Sequence, residues 1–235
     1  MPLSTGPLAG PMTDADVVIV GAGPAGATAA AHLADAGRDV VLIDKEAFPR
    51  EKVCGDGLTP RAVQQLLELG LDAEAAAIPE GWMRSEGLRV HGGGVVLELP
   101  WPQLHDFPAH SLTCTRLEFD LTLARHAVKR GAQLWERTEV TGPVWRDHVG
   151  ATSDDGGAAD PRARVAGVSW RDDEGRSGVV RAPVVIASDG AASRFAIGLG
   201  IDRRKDRPLG VAVRTYYRSP TSDDTWLSSW LDLQE

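Results

Sequence analysis

Cysteine is scarce in this sequence, and its scarcity excludes several kinds of protein. Cys54 and Cys114 are the only cysteines among 235 residues, too few for a disulfide framework and without the paired spacing of a zinc site. The six histidines are scattered as well, so no metal site is predicted. No basic segment followed by an apolar one opens the sequence, so no signal peptide is predicted. These absences favour a reducing, cytoplasmic compartment.

Long apolar runs and an excess of basic charge are also absent. The longest runs, such as 17–20, have the length of a strand, so no membrane-spanning helix is predicted and any membrane contact should be peripheral. Acidic residues outnumber basic ones by 33 to 25, and the net charge of −8 argues against nucleic acid as a partner. The hydrophobic content of 43% is that of an ordinary globular chain.

The spacing of apolar residues predicts a mixed α/β chain. A β-branched strand over 16–20, an Ala-rich helix over 25–36 and a strand over 39–43 form a βαβ unit. Capping residues predict two more helices, over 59–69 and 116–130. Further strands are predicted over 87–90, 95–99, 138–146, 164–171, 176–181, 183–188, 211–217 and 225–233, and a polar loop over 147–163.

A Gly-rich turn joins the first predicted strand to the first helix. Gly21, Gly23 and Gly26 form the pattern G-x-G-x-x-G, in which the first glycine allows a tight turn, the second a close approach of a pyrophosphate, and the third close helix packing. The helix N-terminus adds free N–H groups and the positive end of the helix dipole. Asp44 ends the second strand, where a carboxylate can accept hydrogen bonds from a ribose diol. An acid there favours FAD or NAD over NADP.

Features in three parts of the chain favour FAD over NAD. Asp189 and Gly190 form a late Asp-Gly motif that resembles the one in flavoproteins of the p-hydroxybenzoate hydroxylase group. Pro24 and Ala25 in the first turn, and Arg116 at the start of a helix, are similar to that group, where the arginine contacts the flavin nucleotide. The resemblance implies an α/β fold: a FAD-binding Rossmann domain of the glutathione-reductase and p-hydroxybenzoate-hydroxylase type, with an inserted antiparallel β substrate domain.

The loop after Asp44 carries the most specific resemblance. Its sequence, KEAFPREKVCGDGLTP over 45–60, resembles the Pro-Arg-x-Lys-x-Cys-Gly-x-Gly loop of the geranylgeranyl reductase family. The stretch 54–61, together with Ser222-Asp223-Asp224 and Trp226-Leu227, is most similar to the actinobacterial branch that reduces the polyprenyl tail of menaquinone. The resemblance implies reduction of isoprenoid double bonds by hydride transfer from reduced FAD. It also implies a prenylated lipid or quinone as substrate, and NAD(P)H or another reductant as electron donor. The cofactor contacts that it implies, besides the turn, Asp44 and the Asp-Gly pair, are Lys45, Arg50, Cys54, Gly55, Gly57, Arg116 and Val140.

Cys54 is the candidate catalytic residue. Arg50 and Lys52 place positive charge near the thiol, which should lower its pKa, so a proton donor beside a flavin is one interpretation. The alternative is a small packed residue in a Gly-rich turn, because free cysteine is often buried. Cys114 is assigned to packing.

Four aromatic residues near the end of the chain are candidates for an apolar substrate pocket. They lie on predicted strands, where plain packing is the commoner role of an aromatic side chain, and both interpretations stay open. They are Tyr216, Tyr217, Trp226 and Trp230.

The resemblance predicts a domain order in which the substrate domain interrupts the FAD-binding domain. Family members continue with a Gly-Asp motif that is missing here, so we expect the chain to be the N-terminal portion of a longer enzyme. The predicted segments are a flexible lead-in over 1–13, FAD-binding parts over 14–78 and 113–200, a β insertion over 79–112, and the incomplete start of a substrate-domain sheet over 201–235.

Two alternatives to a prenyl reductase are retained. One is a class A flavin monooxygenase or hydroxylase, because these enzymes share the fold, although the Trp-x-Trp-x-Ile-Pro pattern of halogenases is missing. The other is a non-catalytic FAD-binding fragment, because the third flavin motif is missing. The sequence leaves the oligomeric state open.

Overall fold

A computed structural model describes residues 12–71, 81–146, 164–201 and 210–231, together with residues 3, 6, 206 and 208. The predicted loop over 147–163 lies outside the described residues. The chain forms two compact units: the first comprises Met1–Arg50 and Leu117–Gly210, and the second comprises Glu51–Arg116 and Val211–Glu235. The domain boundaries given above divide the chain by expected function and remain a prediction.

The predicted helices and most predicted strands are present, with ends that agree to within one or two residues in most cases. The helices in the described residues are α1 (Pro24–Asp35), α2 (Pro60–Glu68), α3 (Arg116–Lys129) and α4 (Arg194–Gly198). The strands are β1 (Met12–Asp14), β2 (Val17–Val20), β3 (Val40–Ile43), β4 (Gly57–Leu58), β5 (Met83–Ser85), β6 (Gly87–Gly92), β7 (Val95–Pro100), β8 (Ser111–Thr113), β9 (Gln133–Trp135), β10 (Thr138–Trp145), β11 (Val165–Asp172), β12 (Ser177–Arg181), β13 (Val184–Ala187) and β14 (Trp226–Trp230).

A parallel sheet organises the first unit. Its strand order is β13-β2-β3-β9, and every neighbouring pair runs parallel. Both central strands are buried at every position, as expected for parallel strands that are covered on both faces. Helix α1 contacts β2 and β3 and presents small buried side chains to them, which lets the helix approach closely. The order of strands places the ends of β2, β3 and β13 at one edge, where parallel sheets hold ligands.

A second sheet in this unit has the order β1-β12-β11-β10. It shares a core with the parallel sheet, in which the Trp135 and Trp170 rings meet edge to face at 5.6 Å between centroids. Strand β1 pairs in parallel with β12, with Met12 opposite Val179. Met12 and Thr13 were predicted to belong to a flexible lead-in, and that assignment is wrong for these two residues. Their strand is three residues long, too short for alternation to be seen in the sequence.

The second unit contains two small sheets, ordered β14-β6-β7 and β4-β8-β5. Strands β6 and β7 form the antiparallel pair that the sequence predicted, while β14 adds to β6 in parallel. The predicted strand over 211–217 is not a strand in the structure. Val211 and Val213 are 84% and 91% exposed, so the apolar alternation there does not reflect a buried face.

Candidate functional site

The Gly-rich turn at the end of β2 leaves space at one glycine and none at the other two. A Cβ on Gly21 would lie 2.6 Å from the Ser188 carbonyl oxygen, and Gly21 has φ of +94°. A Cβ on Gly26 would lie 1.9 Å from the Gly21 carbonyl oxygen. At Gly23 the nearest atom is Arg50 Nη2 at 3.5 Å, an ordinary contact. The turn is therefore packed at Gly21 and Gly26 and open at Gly23, where a pyrophosphate would approach the backbone.

The N-terminus of α1 faces this opening without a side-chain cap. Gly23 is the N-cap residue, and Pro24, which has no N–H, occupies the first helical position. The following N–H groups, from Ala25 onward, start a helix whose first turn has no intrahelical acceptors. Free N–H groups and the helix dipole together favour an anion at this point.

Asp44 follows β3 and is almost completely buried. Its Oδ2 accepts a hydrogen bond from the Ala22 N–H at 2.8 Å and lies 3.4 Å from Arg50 Nη2, while its Oδ1 accepts from the Glu46 N–H at 3.0 Å. Asp44 therefore ties the end of β3 to the Gly-rich turn. A carboxylate offers about four acceptor positions, so these bonds leave room for a ribose hydroxyl.

Arg50 links Asp44 to a second buried carboxylate. Its Nη1 lies 3.2 Å from Asp120 Oδ2, and Asp120, on α3, is fully buried. Sequence analysis did not predict Asp120 as a site residue. The signal available in the sequence was the position of this acid between two apolar residues, Phe119 and Leu121. Both of these neighbours are buried in the structure as well. A buried acid in such a helix needs a cationic partner.

The Asp-Gly pair after β13 contacts the same turn. The Ser188 hydroxyl lies 2.8 Å from both the Val20 and the Gly21 carbonyl oxygens, so it can donate to either of them. Asp189 Oδ2 accepts a long hydrogen bond of 3.4 Å from the Phe195 N–H, whereas its Oδ1 is buried and has no partner among the described residues. Gly190 has φ of +91°, which suits glycine. An unpaired buried acceptor beside an open, amide-rich turn fits a nucleotide that brings hydroxyl donors.

Cys54 lies in the second unit and is exposed. Burial raises the pKa of its thiol, but the Asp56 backbone N–H and the Arg116 guanidinium donate hydrogen bonds to the sulfur, and the net pKa lies below the ordinary value. Arg50 and Lys52 were predicted to be the cations that lower this pKa, and that assignment is wrong. The cation beside the sulfur is Arg116, the first residue of α3.

The remaining predicted cofactor contacts have varied surroundings. Apart from the adjacent residues of the chain, no atom of the described residues lies within 4 Å of a Cβ placed on Gly55, and the nearest such atoms to one on Gly57 are 3.9 Å away, so both glycines leave open space. Lys45 is exposed, with its Nζ 3.9 Å from Glu46 Oε1. Val140, on β10, is partly buried and packs against the core of the first unit. The roles of these residues toward a cofactor remain predictions.

The four aromatic candidates differ in their contacts. Tyr216 donates a hydrogen bond to Asp56, and burial and that carboxylate raise the pKa of Tyr216 to about 12. The Trp226 ring lies 5.4 Å from the Arg89 guanidinium, and the Trp230 ring stacks on His91 at 4.7 Å. Tyr217 is largely exposed. A pocket formed by these residues remains a prediction.

A Gly-rich turn open at its second glycine, a buried acid after the next strand and a late Asp-Gly pair define a dinucleotide-binding α/β protein. The chain belongs to the FAD binding domain family, whose model matches residues 14–232. This match, with the solved structures described below, confirms the predicted fold class.

Curated relatives extend the similarity to reductases. The chain is 41% identical over 222 residues to the menaquinone reductase of Mycolicibacterium smegmatis, covering 94% of this chain and 49% of that protein. It is 34% identical over 189 residues to digeranylgeranylglycerophospholipid reductase 1 of Methanopyrus kandleri, covering 79% of this chain and 42% of that protein. These relatives confirm the resemblance stated from the Cys54 loop. The chain spans about half the length of the curated relatives it matches.

Solved structures with this fold include both reductase-like proteins and halogenases. A geranylgeranyl bacteriochlorophyll reductase-like protein from Thermoplasma acidophilum matches with a TM-score of 0.62 at 27% identity, covering 80% of this chain and 42% of that one. The myxobacterial chondrochloren halogenase CndH matches with a TM-score of 0.67 at 25% identity, covering 79% of this chain and 39% of that one.

Two features are absent from the residues that the structure describes. No helix there is both long and apolar enough to cross a bilayer. Within the same residues, no cluster of histidine, cysteine and carboxylate side chains has the geometry to bind a metal ion.

Proposed function

We propose that this chain is part of a FAD-dependent oxidoreductase that reduces isoprenoid double bonds, with the polyprenyl tail of menaquinone as substrate. The observation that carries the proposal is the similarity over 94% of the chain to a menaquinone reductase, at 41% identity. The Cys54 loop, which resembles that of geranylgeranyl reductases, favours the same reaction. A digeranylgeranylglycerophospholipid reductase among the relatives supports the same class of substrate, a prenylated quinone or lipid.

Residues of the first unit are proposed to hold the FAD nucleotide. The pyrophosphate would lie over Gly23 at the uncapped N-terminus of α1. Asp44 would accept from the ribose, and Asp189 Oδ1, which has no partner among the described residues, would accept from a cofactor hydroxyl. Arg50, whose Nη2 lies 3.4 Å from Asp44 Oδ2, would hold that carboxylate in place.

The thiol of Cys54 is proposed to be the proton donor. When bound, reduced FAD supplies a hydride to one carbon of the alkene. An isolated alkene is a poor electrophile, so the other carbon needs a proton, which we assign to Cys54 Sγ. The S–H bond breaks, a C–H bond forms, and solvent returns a proton to the thiolate. A thiol whose pKa is lowered by Arg116 and the Asp56 N–H is a better acid for this step.

The remaining assignments are the cellular location and the electron donor. A polyprenyl tail lies in a bilayer, so we propose that the enzyme works in the cytoplasm at a membrane surface. The electron donor is NAD(P)H or another reductant.

The test measures flavin binding and then alkene reduction. The purified chain is mixed with FAD, desalted and examined by visible absorbance; we expect a retained flavin spectrum, whereas a colourless chain would mean that the FAD site is incomplete. Retained flavin without any tail reduction would support the non-catalytic FAD-binding fragment. The flavin is then reduced with dithionite without oxygen and offered a menaquinone with an unsaturated tail. We expect a mass gain of one H₂ in the tail. Oxygen-dependent hydroxylation or halogenation of an aromatic substrate, with no change in the tail, would replace the proposal with the monooxygenase alternative.

Cys54→Ser is the variant that tests the thiol. We expect it to retain FAD and to lose tail reduction, because serine has a far higher pKa than a thiol. Cys114→Ala serves as the matched control, because Cys114 is buried and assigned to packing. Reduction by Cys54→Ser at the wild-type rate would remove Cys54 from the mechanism.

A further inference from the structure

Asp56 lies two residues after Cys54 in a backbone conformation that is uncommon for any residue except glycine. Its φ is +58°, in the left-handed region. In this conformation its N–H donates to Cys54 Sγ, and its carbonyl oxygen accepts from the Cys114 N–H at 3.0 Å. The two backbone groups of Asp56 therefore link the Cys54 sulfur to the Cys114 backbone.

Two side chains from the 211–217 segment hold the Asp56 carboxylate. Arg214 Nη1 donates to Oδ1 at 3.3 Å, and the Tyr216 hydroxyl donates to Oδ2 at 2.7 Å. The side chains of Asp56 and Arg214 are only 15% and 16% exposed, so this pairing is partly shielded from water. The Arg214 guanidinium also lies 4.6 Å from the centre of the Tyr216 ring.

Arg214 extends these contacts to the residues before Cys54. Its Nη1 donates to the Lys52 carbonyl oxygen at 3.2 Å, and its Nη2 pairs with the Glu51 carboxylate. Arg214 thus contacts the loop on both sides of Cys54 in the sequence.

We propose that Asp56, Arg214 and Tyr216 form a clasp that positions the Cys54 thiol by fixing the backbone of the 51–58 loop. All three are positioning residues, since they act on the thiol through the loop. Only the catalytic use of the thiol rests on the function proposed above. The groups that face the sulfur are Arg116 and the backbones of Gly55 and Asp56. The charged groups of the clasp are Asp56 and Arg214, and the carboxylate of Glu51 pairs with Arg214 from outside the clasp.

The experiment measures the rate of Cys54 alkylation by iodoacetamide as a function of pH. It uses the purified chain without flavin, and peptide mass mapping separates Cys54 from Cys114, which is 4% exposed. Alkylation requires the thiolate, so the midpoint of the profile reports the pKa of the Cys54 thiol. Asp56→Gly removes the carboxylate while tolerating φ of +58°, so it releases the clasp without imposing backbone strain.

We expect Asp56→Gly to raise the midpoint and to slow Cys54 alkylation at pH 7 by about threefold to tenfold, because the Asp56 N–H and Arg116 are no longer held against the sulfur. Tyr216→Phe should shift the midpoint in the same direction by a smaller amount. Asp106→Gly is the control, since this aspartate is in the same unit and its side chain is 82% exposed. It should leave the profile unchanged.

An unchanged midpoint in a folded Asp56→Gly would overturn the proposal. So would faster alkylation at every pH with the same midpoint, which would mean that the side chains only restrict access. Should Asp56→Gly fail to fold, Tyr216→Phe decides the question alone. The assay needs neither FAD nor substrate. Loss of the clasp effect and absence of tail reduction are therefore separate results.

Discussion

Substituting two glycines of the same turn separates packing from cofactor approach. In Gly26→Ala the new methyl group would lie 1.9 Å from the Gly21 carbonyl oxygen and 2.6 Å from Ser188 Oγ. The first of these is a backbone atom of the turn between β2 and α1, and the Gly21 N–H is bonded to the Ile43 carbonyl oxygen, so it cannot move aside cheaply. In Gly23→Ala the nearest atom is Arg50 Nη2 at 3.5 Å, at the flexible end of a side chain.

The magnitudes differ accordingly. Forcing extra atoms into a packed site costs typically 1–3 kcal/mol, and the clash with backbone puts Gly26→Ala near the upper end, at about 3 kcal/mol. Gly23→Ala changes an N-cap glycine to alanine and should cost less than about 1 kcal/mol. For a chain of this size we expect the melting temperature to fall by roughly 6–12 °C in Gly26→Ala and by at most about 4 °C in Gly23→Ala.

The assay pairs thermal unfolding of the flavin-free chain with FAD titration followed by flavin fluorescence. Gly23→Ala should remain folded and bind FAD about tenfold or more weakly, because its methyl group occupies the space over the turn. Equal melting temperatures for the two variants would refute the packing argument. Wild-type FAD affinity in Gly23→Ala would refute the assignment of that space to the pyrophosphate.

Two further substitutions test the acid and the serine beside this turn. Asp44→Ala should weaken FAD binding by roughly 1–3 kcal/mol, since a charge-assisted hydrogen bond to the ribose is lost, and wild-type affinity in the FAD titration would contradict the ribose role. Ser188→Ala removes the hydroxyl that donates to the Val20 or the Gly21 carbonyl oxygen and should lower the free energy of unfolding by about 1 kcal/mol, measured by urea denaturation. An unchanged urea midpoint in Ser188→Ala would show that water replaces those bonds.

The βαβ unit and its turn were predictable because local rules agree there. The β-branched runs of β2 and β3, the Ala-rich α1 and the glycines between them point to the same structure, and their ends lie within one residue of the prediction. The helix at Pro60–Glu68 was equally accessible, because Thr59 caps it and Pro60 occupies its first position.

The features that escaped prediction depend on partners far away in the sequence. Asp56 and Arg214 are separated by 158 positions, and no local pattern links them. Asp120 becomes important only when α3 is packed beside Arg50. The error over 211–217 has a different cause. An apolar pattern of this kind gives a strand only where the edge of a neighbouring strand can pair with it, and no strand within the described residues pairs with this segment.

The interrupted chain path of the second unit has a consequence for the order of folding. Its central strand β6 pairs on one side with β7, a near neighbour in sequence, and on the other with β14, where Trp226 lies opposite Gly87. The second pairing closes a very long loop of chain, and its entropic cost slows folding. The β6–β7 hairpin can form early, because its strands are close in sequence. The 51–58 loop can form its contacts with Arg214 and Tyr216 only after those residues are synthesised, and they follow the strands of the first unit in the sequence. The surroundings of the Cys54 thiol are thus completed late, after the Gly-rich turn has its neighbours.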